Sequence, residues 1–382
     1  MLGMSTKGNV LKALEENKGA TISGEELAGR LNVSRAAVWK AIGELRKEGY
    51  PIDAITNRGY CLSSFSDLLS SEGITPHIAP SFHGCSIHVF KTVESTNLTA
   101  KKMALEGAPA GSVIIAEEQT KGRGRMGRSF YSPPSRGIYM SFILKPRFDA
   151  SKAVLITTAA SVAVCRAIEK VTGVSCSIKW VNDIYADEKK VCGILTEAVT
   201  DFETGQIEHI VLGIGINFSS SSGEFPEELS EIAGSLFPDK PIIRAIPASE
   251  AIPASEAIPA SEAIPASEAI PASEAIQAEN DPFDPAPPSR NRLIAEVINQ
   301  VMLLNEELES RSFIEEYRRR SMVLGKEIRI LAPGQAHEPR DFTKGIKAYA
   351  VDVDPDGGLM VRYEDGSFGT LNTGEVSIRP IG

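Results

Sequence analysis

Residues Gly122 to Arg128 read Gly-Arg-Gly-Arg-Met-Gly-Arg, and no regular element can run through them. Each internal glycine costs a helix about 0.5–1 kcal/mol relative to alanine, and the three arginines repel one another unless an anion or an acidic partner neutralises them. The segment is therefore a loop. Glycines leave backbone N–H groups open to a ligand and arginines add planar, permanently charged forks, so the fitting ligand is a polyanion such as a phosphate chain. The spacing also matches a dinucleotide-binding fingerprint, but that motif opens a helix, which Ser132-Pro133-Pro134-Ser135 forbids.

Strands and helices alternate around this loop. Ser86 to Thr92 reads as a strand, Ser95 to Glu106 as a helix and Ser112 to Gln119 as the strand that enters the loop. Ile138 to Leu144 alternates as another strand, and Ser151 to Val171, apolar on most sides, is a largely buried helix. Ser177 to Val181, a hairpin turn across Asp187 to Lys190, Val191 to Glu197, a turn at Glu203-Thr204-Gly205 and His209 to Asn217 follow. The pattern is α+β: a mixed or antiparallel sheet backed by helices.

A different module precedes it. Val10, Leu11 and Leu14 mark a first helix stopped at Lys18-Gly19, and Ser23 with Glu26 forms a capping box for a second. Ser34 caps a third, Arg35 to Glu48, with Val38, Ile42 and Leu45 on one face. Tyr50 to Leu62 carries the hairpin signal Asn57-Arg58-Gly59-Tyr60. Three helices and a hairpin describe a winged helix-turn-helix, with the helix-turn-helix at about Gly24 to Gly43. Ser34, Arg35 and Lys40 then face DNA from the recognition helix and Arg58 from the wing. Charge agrees with that placement: residues 1–62 hold 9 Lys+Arg against 7 Asp+Glu, net +2, in a chain of net charge −10. Useful affinity for operator DNA needs a dimer on two half-sites.

Two more features bound the architecture. Between Ala245 and Glu274 the hexapeptide Ala-Ile-Pro-Ala-Ser-Glu is repeated five times. Its prolines prevent a continuous helix, and one isoleucine per repeat is too little apolar surface to offset the chain entropy, so 244–289 is expected to be a disordered insertion. From about residue 321 the sequence becomes short strands, Glu327 to Leu331, Lys347 to Asp352, Leu359 to Tyr363, Ser367 to Leu371 and Glu375 to Ile378, with turns at Asp356-Gly357-Gly358 and Asp365-Gly366, a pattern for a small β-barrel. The expected division is 1–62 for the DNA-binding module, 63–85 for a connector with a short helix at Asp67 to Ser70, 86–320 for the central domain, whose last helix is Arg290 to Leu308, and 321–382 for the barrel. Apolar runs such as Val162 to Cys165 fall far short of the roughly 20 residues of a membrane span. Five scattered cysteines without a Cys-x-x-Cys pair argue for reduced thiols in the cytoplasm, and against disulfides or zinc.

The second chemically informative stretch is Lys179-Trp180-Val181-Asn182-Asp183. Alternation puts Cys176, Ile178 and Trp180 on one face and Ser177, Lys179 and Val181 on the other, so a lysine sits within a strand, where it is disfavoured without a task or an exposed face. Together with the Gly-Arg loop, Ser95-Thr96-Asn97, Gln119 and Gly213-Ile214-Gly215-Ile216-Asn217, this stretch resembles the biotin protein ligases in order and spacing. With a winged helix in front and a barrel behind, the chain is similar to the bifunctional bacterial form that also represses the biotin operon.

The resemblance implies an SH3-like barrel and a two-step acyl transfer, in which biotin and ATP give biotinyl-5'-AMP and the biotin then passes to a lysine of a biotin carboxyl carrier protein. It implies Lys179, Arg123 and Arg125 as catalytic residues. Ser95, Thr96, Asn97, Gln119, Gly122, Arg123, Gly124, Arg125, Arg128, Phe130, Lys179, Asn182, Gly193 and Asn217 are the implied biotin and adenylate contacts, with Mg²⁺ on the phosphates near Asn182 or Asp183. Neither zinc nor haem is expected, and a ligand-induced homodimer is. Phe130 stands where relatives often carry Trp, and Val181 where Pro is frequent. The alternatives are a lipoate–protein ligase, or a repressor that senses its ligand without catalysis.

Overall fold

The computed structural model describes residues 5–145, 153–200, 207–221, 223–238, 288–331, 345–372 and 375–377. The expected turn at Glu203-Thr204-Gly205 and the repeats from Ala245 to Glu274 lie outside the described residues, as does most of the span 244–289. Contacts divide the chain into two compact units. Met1–Leu68 belongs to the first, and Leu69–Ile242 with Ser289–Gly382 forms the second.

In the first unit, α1 (Thr6–Glu16), β1 (Thr21–Ile22), α2 (Gly24–Leu31) and α3 (Arg35–Lys47) precede the hairpin of β2 (Ile52–Ile55) and β3 (Gly59–Leu62). Ser5, Ser23 and Ser34 each accept a backbone N–H at the start of α1, α2 and α3. Val10, Leu11, Leu14, Leu27, Val38, Ile42, Leu45 and Leu62 close a core of their own. β3 lies between β1 and β2. Gly59 is required there: at φ +121°, an added Cβ would stand 2.2 Å from the Ile22 carbonyl oxygen.

The second unit opens with α4 (Ser71–Ile74), capped by Ser70. The expected helix at Asp67 to Ser70 is therefore displaced by four residues, because the Ser70 hydroxyl accepts the Gly73 N–H and so caps a helix that starts at Ser71. The order continues as β4 (Ile87–Val93), α5 (Thr96–Leu105), β5 (Val113–Gln119), β6 (Gly137–Leu144), α6 (Ala153–Thr172), β7 (Ser177–Lys179), β8 (Asp183–Ala186), β9 (Lys189–Thr200) and β10 (Ile207–Asn217). Two-residue strands β11 (Ser219–Ser220) and β12 (Phe237–Pro238) flank α7 (Glu227–Ser230), and α8 (Arg290–Glu306) and α9 (Phe313–Arg320) follow. The seven-stranded sheet runs β4-β5-β6-β10-β9-β8-β7 and is mixed, since β4 and β5 are parallel and the other pairs antiparallel. The long apolar helix α6 and its neighbour α8 pack into the main core, while Ala100 and Ala104 of α5 join Ile114, Ile143, Val199 and Val211 in a smaller one.

The last strands, β13 (Glu327–Leu331), β14 (Ile346–Val353), β15 (Leu359–Tyr363), β16 (Phe368–Leu371) and β17 (Glu375–Ser377), form an antiparallel sheet in the order β16-β15-β14-β13-β17. This is the small C-terminal β domain that the strand pattern predicts, and among the described residues no pairing between its edge strands β16 and β17 is seen. Its apolar face shares the main core through Ile328, Ile330, Ala350 and Val361.

Arg320 ties α9 to α6. Its guanidinium donates to both oxygens of Glu169, at 2.6 and 2.8 Å, and at 2.9 Å to Glu316, which also takes Arg166. The Arg320 hydrogen bonds hold the Glu169 carboxyl below the usual carboxylate range; burial opposes ionisation of Glu316, but hydrogen bonds from Arg166 and Arg320 outweigh it. Both folded values lie below the unfolded one, about 4.3, so this stabilisation is complete above that pH and is lost as the pH falls through the folded values. We expect the urea midpoint to drop between about pH 5 and pH 3, and R320M to flatten that slope; equal slopes would show that other carboxylates govern acid unfolding.

Candidate functional site

Strand β5 ends at Gln119 and the chain returns to the sheet beside it, since the Gln119 N–H donates to the Ser132 carbonyl at 3.2 Å and the Phe130 N–H to the Gly122 carbonyl at 2.9 Å. Within this neck the loop turns through Met126 (φ 57°) and Gly127 (φ 77°). A Cβ on Gly122 would meet the Phe130 carbonyl oxygen at 2.4 Å, whereas one on Gly124 would find its nearest atom at 3.6 Å. The fold needs glycine at 122; at 124 the protein itself leaves room, as close approach of a ligand backbone or phosphate requires.

The loop rests on the Lys179 stretch. Arg125 Nη1 donates to Asn182 Oδ1 at 3.2 Å, and the Asn182 amide holds the Ile194 carbonyl at 2.9 Å. Lys179 is the last residue of β7, opposite Asp183 in β8. The expected alternation stops there: Ile178 and Trp180 are buried, but so is Val181, expected on the opposite face, because β7 ends at Lys179; the Trp180–Val181 peptide is cis. The Val181 carbonyl accepts from Tyr317 Oη at 3.2 Å and Ser161 Oγ at 3.3 Å, and Trp180 Nε1 donates to the Gly357 carbonyl at 3.0 Å. Buried hydrogen bonds from α9, α6 and the C-terminal sheet thus fix the residues beside Lys179.

On the other side stands a polar row. Ser95 takes the N-cap position of α5, yet its hydroxyl makes no capping bond. Gln119 Oε1 accepts the Thr96 N–H at 2.9 Å, Gln119 Nε2 donates to Ser132 Oγ at 2.9 Å, and Ser132 Oγ donates to the Phe130 carbonyl at 2.9 Å. Ser141 Oγ links Thr96 and Asn97, and Asn97 Nδ2 reaches Glu197 at 2.7 Å. Burial disfavours the Glu197 charge, but hydrogen bonds from Lys101 and Asn97, with the nearby charges of Lys101 and Arg123, hold its carboxyl below the ordinary range. The Phe130 ring covers the glycines: a Cβ on Gly193 would lie 3.3 Å from it and one on Gly215 only 2.6 Å.

The structure therefore brings Thr96, Asn97, Gln119, Gly122, Phe130 and Gly193 together on one side, and Arg125 and Asn182 on the side next to Lys179. Asn217 ends β10 two residues beyond Gly215, its amide holding the Gly234 carbonyl at 2.9 Å beside a cleft lined by Tyr131, Arg136, Tyr139 and Phe225. Asp183 is ion-paired with Lys190 at 2.6 Å, and among the described residues no group of three or more His, Cys, Asp or Glu could hold a metal. Lys190, Ser132, Glu197 and Tyr317 escape sequence reasoning. Lys190 reads as part of a turn, but β9 begins at Lys189, which puts Lys190 Nζ 3.5 Å from a Cβ built on Gly193.

In the first unit Ser34 spends its hydroxyl on the Ala37 N–H at 3.2 Å, as the cap of α3. Arg35 and Lys40 are exposed on that helix and Arg58 at the wing.

Residues 89–217 match the model of the biotin/lipoate A/B protein ligase family, and residues 7–61 match a helix-turn-helix domain model. Over 215 residues the chain is 41% identical to the bifunctional ligase/repressor BirA of Bacillus spizizenii, a match covering 56% of this chain and 66% of that protein, just under two thirds. The protein of the same name from Escherichia coli is 32% identical over 197 residues, covering 52% of this chain and 59% of its own. Among solved structures, the biotin protein ligase from Aquifex aeolicus in complex with biotin and ATP superposes with a TM-score of 0.51 at 25% identity, over 77% of this chain and 98% of that one. The central part of the chain is thus similar to the biotin/lipoate A/B protein ligase family and its N-terminal part to a helix-turn-helix domain, and the chain spans somewhat less than two thirds of the length of the curated relatives it matches.

Proposed function

We propose that this protein is an ATP-dependent biotin protein ligase that also represses transcription as a DNA-bound, ligand-induced dimer in the cytoplasm. One observation carries the catalytic reading: the Arg125–Asn182 hydrogen bond seats the Gly-Arg loop against the strand that ends in Lys179. Both first-step substrates are anions, and fixed positive charge brings them together without reorganisation. A carboxylate oxygen of biotin attacks the α-phosphorus of ATP, the bond to the bridging oxygen breaks, and pyrophosphate leaves with that electron pair. Lys179 stands beside the attacking oxygen and the α-phosphate, while Arg123, Arg125, Arg128 and the loop amides hold carboxylate and phosphates. Ser95, Thr96 and Gln119 hydrogen-bond the ureido ring, whose donors and acceptors a buried pocket must satisfy. In the second step the neutral amine of an acceptor lysine attacks the acyl carbon, AMP leaves, and the amine nitrogen gives up a proton. The acceptor is a lysine of a biotin carboxyl carrier protein.

Magnesium belongs to this reading as the counter-ion that ATP brings. The residues present suit that role better than a protein cage, since Asp183 is engaged by Lys190 and Asn182 by Arg125. Two features support a cytoplasmic site of action: among the described residues all five cysteines are free thiols, and no helix is long and apolar enough to cross a membrane.

ATP–pyrophosphate exchange tests the reading. We expect exchange that requires biotin; exchange driven by lipoate instead would assign the other branch of the family, and no exchange would leave a ligand-responsive repressor. Removal of residues 1–62 is expected to eliminate operator binding and preserve exchange.

A further inference from the structure

The exposed face of α3 carries an aromatic side chain that the fold does not use. Val38, Ala41, Ile42 and Leu45 form its buried face, while Trp39 is 66% exposed. Helical spacing places Arg35, Ala36, Trp39, Lys40 and Gly43 on one stripe. Ala36 and Gly43 stand three residues before and four after Trp39, so small side chains border the indole and the helix backbone can come close to whatever covers it. A Cβ on Gly43 would meet nothing within 4 Å, so the core does not select that glycine.

An exposed tryptophan between two cations fits a partner that is polyanionic outside and presents an apolar group inside. The DNA major groove is such a surface: phosphates line it, an α-helix enters it, and the C5-methyl of thymine is the apolar group on its floor. The match of residues 7–61 to a helix-turn-helix domain model selects this occupant over a second copy of the chain, and the net charge of +2 on residues 1–62 suits a phosphate backbone. We infer that Trp39 reads a thymine methyl group near the centre of each half-site, with Arg35 and Lys40 beside it on bases and phosphates. This deepens the DNA-binding reading above and rests on it; it gives the protein a base-selective contact that phosphate-binding arginines and lysines do not supply.

The test uses the full-length protein with biotin and ATP, and a duplex recovered with it from a random-sequence library. Each thymine is replaced singly by uracil, which removes the methyl and leaves pairing intact. We expect one position per half-site where uracil weakens wild-type binding about three- to fivefold, the worth of one buried methyl-sized group. W39A should bind the parent duplex more weakly and no longer distinguish thymine from uracil there, while W39F keeps part of the discrimination. Biotin-dependent exchange and far-UV circular dichroism of W39A verify that the chain is folded. The inference is overturned if no thymine is sensitive in the wild type, if W39A keeps the same discrimination, or if W39A binds DNA normally and changes only its sedimentation, which would assign the face to a second copy. A wild-type chain that selects no duplex would instead overturn the DNA reading itself.

Discussion

Lys179→Ala is expected to abolish adenylate formation while leaving the protein folded. Lys179 ends β7, and the neighbouring segment is held by bonds that do not involve its side chain: Trp180 to Gly357, Tyr317 and Ser161 to Val181, and Asn182 to Ile194. Truncation therefore leaves the backbone in place and deletes one charge from the end of β7, next to the segment on which the loop rests. Removing a single preorganised group that stabilises transition-state charge costs about 10²–10³ in rate, and here two anions must meet, so the loss should reach the upper end. Single-turnover formation of biotinyl-adenylate, with thermal unfolding as a check on the fold, measures it. Turnover within tenfold of wild type would sink the assigned role. Lys179→Arg separates charge from geometry, because a planar fork restores the charge but not the compact ammonium at the same point.

What could be read in advance follows from the range of the interactions. The stripe of α3 and the all-round burial of α6 are written in local periodicity, and both helices lie where that periodicity puts them. The loop is legible because three glycines and three arginines leave a segment few conformations and few ligands. Long-range partners are different. Ser132 closes the loop by accepting from Gln119 and donating to Phe130, Glu197 meets Asn97 from 100 residues away, and Tyr317 reaches Val181 across 136. No spacing rule links such pairs, since sheet order decides them. Lys190 shows a related failure: hairpin chemistry at Asp187 and Glu188, both at positive φ, draws attention to the turn and away from the strand that leaves it. In the C-terminal sheet the individual strands are legible from the sequence, whereas their order, β16-β15-β14-β13-β17, is set by pairing that strand propensities do not encode.

Gly122→Ala should be nearly as damaging as loss of Lys179, for a steric reason. The added methyl would stand 2.4 Å from the Phe130 carbonyl oxygen, 2.6 Å from Ser132 Oγ and 3.1 Å from Gln119 Nε2. A surface side chain could swing aside, but the first obstacle is backbone, and moving it breaks the Phe130 N–H bond to the Gly122 carbonyl at 2.9 Å. Ser132 and Gln119 are constrained in turn by the chain of bonds from Thr96 to Phe130. The methyl must therefore displace the neck that joins the Thr96 and Gln119 side of the site to the arginines. Overpacking of this kind costs about 1–3 kcal/mol of stability, and a shift of about 1 Å in positioned groups costs on the order of 10² in rate. Gly124→Ala is the control, because its nearest neighbour would be 3.6 Å away: the fold should be unchanged, and any lost activity would come from contact with the phosphates. Comparing the unfolding midpoints and exchange rates of the two variants divides fold from ligand. A Gly122→Ala protein with wild-type midpoint and exchange would mean that the neck opens freely, and that order in the loop is supplied by the adenylate alone.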